Sequence, residues 1–231
     1  VLTANTFRTN TRALARAGLP DQVAALTRVA VGFARAGAAG RARVAGSIAP
    51  VADCYSPDLV PDDASLAREH GELANALAGA GCDLILVETM NTVREAAIAA
   101  AAAARTGLPL WVSWTLGPDD RLLSGETLAE AVRAIRPLGP EALLVNCIPV
   151  AQVSSALRAL RAAVGDDVIR IGAYANVGHV DDEVGWTLTD AVSPEAYAAA
   201  AREWLALGAT LLGGCCGTTP AHIAAMKDMP K

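Results

Sequence analysis

Leu84-Ile85-Leu86-Val87-Glu88-Thr89 is a short apolar run closed by a carboxylate, and a helical pattern follows it over about 91–106. Four successive apolar residues without polar alternation suit a strand buried on both faces, as in parallel sheets covered by helices. The same unit recurs along the chain. Upstream, Val1-Leu2-Thr3-Ala4-Asn5-Thr6-Phe7 reads as the end of a strand running into a loop, with helical patterns at about 10–18 and 21–38. Val44-Ala45-Gly46-Ser47-Ile48-Ala49-Pro50 is the next strand, followed by a polar loop and a helix over about 62–80. Downstream come strands over 110–116, 142–148 and 169–176, with helices at about 125–136, 151–164 and, after a long polar loop, 194–207. Thr210-Leu211-Leu212-Gly213-Gly214 is the last strand, and a short helix near 219–227 closes the pattern.

Strands that each lead into a helix imply a parallel sheet with right-handed crossovers. The natural closed form is an eight-stranded (β/α) barrel of the TIM type, for which about 250 residues is typical. The 231 residues read as one domain, 1–231, with seven strand–helix units visible and the first one missing. A doubly wound open sheet tolerates seven strands and is the structural alternative. No Gly-x-Gly-x-x-Gly follows any strand, so nothing points to a dinucleotide site. Asn5, Glu88, Ser113, Asn146, Cys147, Asn176, Cys215 and Cys216 all fall near the C-terminal ends of these strands, which in a barrel converge on the active face.

The most specific signal is Gly213-Gly214-Cys215-Cys216-Gly217-Thr218, at the end of the last apolar run. Neighbouring side chains on a regular strand point to opposite faces, so adjacent cysteines do not normally reach one ion. The flanking glycines open backbone angles closed to other residues, and both sulfurs can then face one point. Cys147 ends another apolar run in Leu143-Leu144-Val145-Asn146-Cys147-Ile148-Pro149. Three thiolates from two strand ends would leave a tetrahedral zinc with one open position, the arrangement of a catalytic site. A strained vicinal disulfide between Cys215 and Cys216 is the alternative. Redox chemistry at that pair is remoter, since the useful spacing there is Cys-x-x-Cys. Cys54 and Cys82 read as small buried hydrophobes.

Hydrophobic residues make up 53% of the chain, ample for a core, and the formal net charge of −5 argues against nucleic acid as a partner. Arg41 and Arg43 read as solvated groups beside a strand. Five irregularly spaced cysteines do not form a disulfide framework and suit a reducing cytoplasm. The longest apolar stretch, Ala96 to Ala104, is too short to span a bilayer, and no signal peptide opens the sequence. These features predict a soluble cytoplasmic protein.

With these residues in view, the chain resembles the homocysteine S-methyltransferase family. The matching pieces are Thr3-Ala4-Asn5-Thr6-Phe7, Val87-Glu88-Thr89, Val145-Asn146-Cys147, Tyr174-Ala175-Asn176 and Gly213-Gly214-Cys215-Cys216-Gly217-Thr218. They run from end to end of the sequence. The resemblance implies a (β/α) barrel with zinc held by Cys147, Cys215 and Cys216. It implies methyl transfer from an onium donor to the thiol of homocysteine, giving methionine. Family members begin with an Asp-Gly-rich strand and helix, and here that strand and its aspartate, which helps hold the ammonium group of homocysteine, are expected to be absent. An open barrel would expose two strand edges, and a homo-oligomer is one way to cover them.

The resemblance assigns the substrate ammonium to Glu88, whose burial at a strand end would be costly if unpaired. A structural ion pair with an arginine is the alternative. Asn146 is expected among the substrate-binding residues, donating to a cysteine sulfur or orienting the metal loop, with strand-end capping as the alternative. Asn5, Phe7, Ser113 and Asn176 are expected to line the pocket, and Phe7 or Trp114 could face a cationic donor unless Trp114 belongs to the core. His70 and His222 read as surface or core residues, and His179 with Asp181–Glu183 as a solvated loop. The donor, whether S-methylmethionine, betaine or S-adenosylmethionine, has no readable motif. Methylation of a related thiol or selenol, or a non-catalytic zinc barrel acting by association, are the competing functions.

Overall fold

Every residue of the strands Val44–Ile48 and Leu84–Met90 is buried, as runs without polar alternation should be. In the computed structural model, which describes residues 1–181, 185–187 and 192–229, they belong to one seven-stranded sheet. The elements follow in order: β1 (Leu2–Thr3), α1 (Thr11–Arg16), α2 (Val23–Ala38), β2 (Val44–Ile48), α3 (Asp63–Gly79) and β3 (Leu84–Met90). Next come α4 (Val93–Ala104), β4 (Leu110–Trp114), α5 (Leu128–Ile135), β5 (Ala142–Pro149), α6 (Val153–Val164) and β6 (Arg170–Asn176). A short ribbon of β7 (His179–Asp181) and β8 (Gly185–Thr187) precedes α7 (Pro194–Ala206), β9 (Ala209–Gly214) and α8 (Pro220–Ala225).

The sheet order is β1-β2-β3-β4-β5-β6-β9 with every pairing parallel, as the strand–helix alternation requires. One face carries the helices and the main core. The other closes on itself: Ala45, Leu84, Leu86, Trp111, Ala142 and Leu144 form a second cluster, with Tyr174 and Leu211 packed against it. Side chains from β2 through β9 can meet on one face only if the sheet curls. The two edges face each other across a cavity of about 380 Å³, lined by Leu2 and Thr3 on one side and Leu211 to Gly214 on the other. The fold is therefore a TIM-type (β/α) barrel with seven of its eight units, not a doubly wound sheet.

Helix starts follow local chemistry. Asn10, Asp62, Thr92, Thr127 and Ser193 each accept a backbone N–H from the first turn of their helix, and Thr127 with Glu130 completes a capping box. One expectation is corrected here. The loop after β6 is not wholly irregular, because 179–181 pair antiparallel with 185–187; Asp182 and Glu183 lie outside the described residues. No described helix is long and apolar enough to cross a membrane.

Candidate metal and substrate site

Two strand ends bring the three cysteines together. Cys147 lies in β5 and Cys215–Cys216 follow β9, with sulfurs 3.2 Å apart for Cys147–Cys215, 3.8 Å for Cys147–Cys216 and 3.9 Å for the neighbours. Thiolates around a tetrahedral zinc, each at about 2.3 Å, stand roughly 3.8 Å from one another. Two sides of the triangle have that length already. All five cysteines are free thiols. Left to themselves, the three share their protons. Hydrogen bonds from Cys147 and Cys215 hold the Cys216 thiol down at about 3. Cys215 is pushed up by its bonds to Cys147 and Cys216 and by burial. At Cys147 the bond to Cys215 pulls down, but Cys216 and burial outweigh it, and the thiol is pushed up to about 12. A cluster that ionises fully only beside a cation can hold a metal ion.

The backbone shows how adjacent cysteines reach one point. After Gly214 the chain leaves the strand: Cys215 N–H donates to the Ala175 carbonyl and Val177 N–H to the Cys216 carbonyl, both at 3.0 Å. Thr218 closes the turn with its N–H and its hydroxyl on the Cys215 carbonyl, at 3.1 and 2.6 Å. Gly217 has φ of 77°, and a Cβ there would stand 2.1 Å from the Val177 carbonyl oxygen. A Cβ on Gly214 would meet the Thr218 hydroxyl at 2.4 Å. Gly217 thus supplies a backbone angle and Gly214 supplies room. Cys147 has no glycine beside it. Its own φ is 56°, at a register shift between Asn146 and Pro149.

Glu88 points into the barrel from β3 and is 8% exposed. Ser47 donates to its Oε1 at 2.5 Å and Tyr174 to its Oε2 at 2.9 Å. Among the described residues no arginine, lysine or histidine pairs with it. Burial lifts its carboxyl above the ordinary range, while the two hydroxyl bonds pull it partly back. It is a buried acid supplied with neutral donors and no cation. Next to it Thr89 has φ of 58°, an outlier for a β-branched residue, again at a register shift. Asn146 reaches across to it: its Oδ1 accepts Thr89 N–H at 3.0 Å and Ser113 Oγ–H at 2.6 Å, and its Nδ2 donates to Thr89 Oγ1 at 2.7 Å.

The sequence model of the homocysteine S-methyltransferase family matches residues 1–229. The chain belongs to the homocysteine S-methyltransferase family. It is 35% identical over 201 residues to the Escherichia coli homocysteine S-methyltransferase, covering 82% of this chain and 63% of that protein. A Mycobacterium tuberculosis methionine synthase is 29% identical over 236 residues, 95% of this chain and 19% of its own length. The metallated form of the E. coli homocysteine methyltransferase MmuM superposes with a TM-score of 0.81 at 28% identity, covering 97% of this chain and 77% of that one. The chain spans less than two thirds of the curated E. coli and Zea mays family members it matches.

Within this family member the remaining candidates fall in several places. Asn176 stands at the end of β6 on the same face as Tyr174, and its Oδ1 is buried with no hydrogen-bond partner. Ser113 and Asn146 are fully buried and bonded to each other rather than open to a pocket. Phe7 is half-buried with its ring 5.0 Å beneath the Arg8 guanidinium. Asn5 borders a separate groove of about 540 Å³ against Leu26, Val29 and Phe33 of α2. Trp114 sits in the core between sheet and helices, so its place is packing. Cys54 and Cys82 are buried, and burial pushes each thiol up to about 11. His70 is a buried partner of Glu95 at 3.1 Å, and His222 caps α8. Arg43 is not merely solvated: it pairs with Glu141 at 3.5 Å and lies over Trp111. Sequence reasoning passed over the parts played by Ser47, Thr89 and Tyr174.

Proposed function

We propose that this chain binds zinc and transfers a methyl group from an onium donor to the thiol of homocysteine, giving methionine. One observation carries the reading. Three thiols within 3.9 Å of one another share the C-terminal face of a barrel with a buried carboxylate that has no cation of its own. Cys147, Cys215 and Cys216 would hold the metal. A zinc ion bound there supplies a Lewis acid that lets an entering thiol lose its proton near neutral pH.

Glu88 then takes the acceptor's ammonium group, and Ser47 and Tyr174 fix both of its oxygens in place for that contact. The free Asn176 Oδ1 is a second acceptor on the same side. The acceptor's sulfur attacks the methyl carbon in line, the donor's bond to that carbon breaks, and the electron pair stays on the donor heteroatom, which leaves neutral. The thiol proton goes to solvent. A leaving group that sheds its charge needs no general acid. S-methylmethionine, betaine and S-adenosylmethionine all have this chemistry, and a related thiol or selenol would fit the same acceptor position. A cytoplasmic location would keep the thiols reduced.

A second reading, a zinc-containing barrel that works by association or as a homo-oligomer, is favoured by Phe33, 75% exposed on α2. Zinc-edge X-ray absorption of the purified chain separates the two. One zinc with three sulfurs, rising to four when homocysteine is added, is the expected result. Three sulfurs that do not respond to homocysteine would reject methyl transfer by this chain.

A further inference from the structure

The two anchor points for an amino-acid thiol are tied together by one side chain. Glu88 is followed directly by Thr89, and Cys147 is preceded directly by Asn146. Asn146 spends its amide on that junction: Oδ1 receives Thr89 N–H and Ser113 Oγ–H, and Nδ2 donates to Thr89 Oγ1, at 3.0, 2.6 and 2.7 Å. Thr89, Ser113 and Asn146 are completely buried, so none of these groups has water as an alternative. Thr89 and Cys147 are both in the left-handed region, at φ of 58° and 56°, and both strands shift register there. Such backbone is costly and persists only where the surroundings hold it. Thr115 adds a hydroxyl aimed at the Cys147 carbonyl, at 3.4 Å.

We propose that the Asn146–Thr89–Ser113 clamp is the specificity-determining element for acceptor length: it sets the span between the carboxylate that takes the ammonium and the cysteine that serves the thiol end. This rests on the proposed function, in which one acceptor touches both anchors. A clamp of three short hydrogen bonds cannot stretch by the length of a methylene. Homocysteine has one more methylene between its amine-bearing carbon and its sulfur than cysteine has, so the fixed span selects between them. One methylene is commonly worth about 10–200-fold in discrimination. These three side chains would act through Glu88 and Cys147 and are positioning residues.

The test compares homocysteine with cysteine by calorimetric titration of zinc-loaded wild type, T89V, T89S and S113A, with zinc content and sulfur count measured on each. Valine at position 89 keeps the β-branch, and so the backbone cost, while removing the acceptor for Asn146 Nδ2; serine keeps the hydroxyl. T89V is expected to retain zinc with three sulfurs while its homocysteine-over-cysteine affinity ratio falls about tenfold. T89S should hold the wild-type ratio, and S113A, which removes the hydroxyl bond to Asn146 Oδ1 without touching the strained Thr89, should lose part of it. Equal losses for both thiols in T89V and S113A, with the ratio unchanged, would mean a merely structural clamp and overturn the proposal. A wild-type protein that binds neither thiol through sulfur overturns the functional reading first and this inference with it.

Discussion

Replacing Glu88 by glutamine should stabilise the acceptor-free protein at alkaline pH while disabling acceptor binding. The carboxyl is buried, its partners are two neutral hydroxyls, and burial raises its pKa. A carboxyl raised in this way keeps its proton to higher pH in the native state than in the unfolded chain. Native stability is therefore whole below the unfolded pKa and falls as pH climbs from there through the native pKa. Each unit of lift removes about 1.4 kcal/mol above that window. Glutamine keeps the shape, accepts one hydroxyl through its oxygen and has no charge to desolvate. At pH 8 E88Q should be more stable than wild type, and each kcal/mol of that gain raises the melting temperature of a chain of this size by about 2–4 °C. Towards pH 4, where the unfolded carboxyl also takes up its proton, the difference should shrink towards zero. On the proposed function, the same change removes the charge that would face the acceptor's ammonium. Losing one member of a buried, hydrogen-bonded charge pair costs about 2–5 kcal/mol, so homocysteine affinity should drop at least about 30-fold. Melting curves of the reduced, metal-free protein from pH 4 to 8, with calorimetry for the acceptor on the zinc-loaded protein at pH 8, read both effects. An E88Q protein less stable than wild type at pH 8, or a difference that ignores pH, would refute the reasoning.

Alanine at any one of Cys147, Cys215 or Cys216 should abolish tight zinc binding and turnover yet leave most helical content, as chelator competition and circular dichroism would report; full activity in any of them would remove the proposed site. Alanine at Gly217 should cost about 2 kcal/mol or more and weaken zinc affinity, because its Cβ would collide with the Val177 carbonyl oxygen at a left-handed position. Denaturant unfolding of the zinc-loaded protein measures it, and an unchanged midpoint would show that the turn relaxes freely.

The barrel was legible because strands buried on both faces cannot hide their apolar runs: 84–87 and 142–145 announce themselves, and the polar residue that ends each run marks the functional face. Less visible was anything that depends on register between strands far apart in sequence. Tyr174 is 86 positions from Glu88, and only closure of the sheet puts its hydroxyl 2.9 Å from that carboxylate. Trp114 was open between core and pocket, although Ser113 beside it limits the choice: adjacent residues on a regular strand cannot share a face, and with Ser113 inside the barrel Trp114 must pack against helices. The bends at Thr89 and Cys147 had no local signal at all, since neither residue type favours left-handed backbone.

Those bends and the glycines answer one geometric demand in two ways. A site at the end of a strand gains from two consecutive side chains aimed the same way, and a regular pleat forbids it. After β9 the demand is met by composition: Gly214 and Gly217 let the chain turn, and Cys215 and Cys216 converge. In β3 and β5 it is met by strained residues, Thr89 and Cys147, that put Glu88–Thr89 and Asn146–Cys147 on the same side. Strain of that kind costs about 1–3 kcal/mol per residue. Three buried hydrogen bonds from Asn146 contribute about 1 kcal/mol each, so the clamp and the strain are of one size. The asymmetry follows from what each element does. On the proposed function, Cys215 and Cys216 would be held in register by the metal they share, whereas Glu88 and Cys147, at opposite ends of one substrate, would need a protein-built ruler between them.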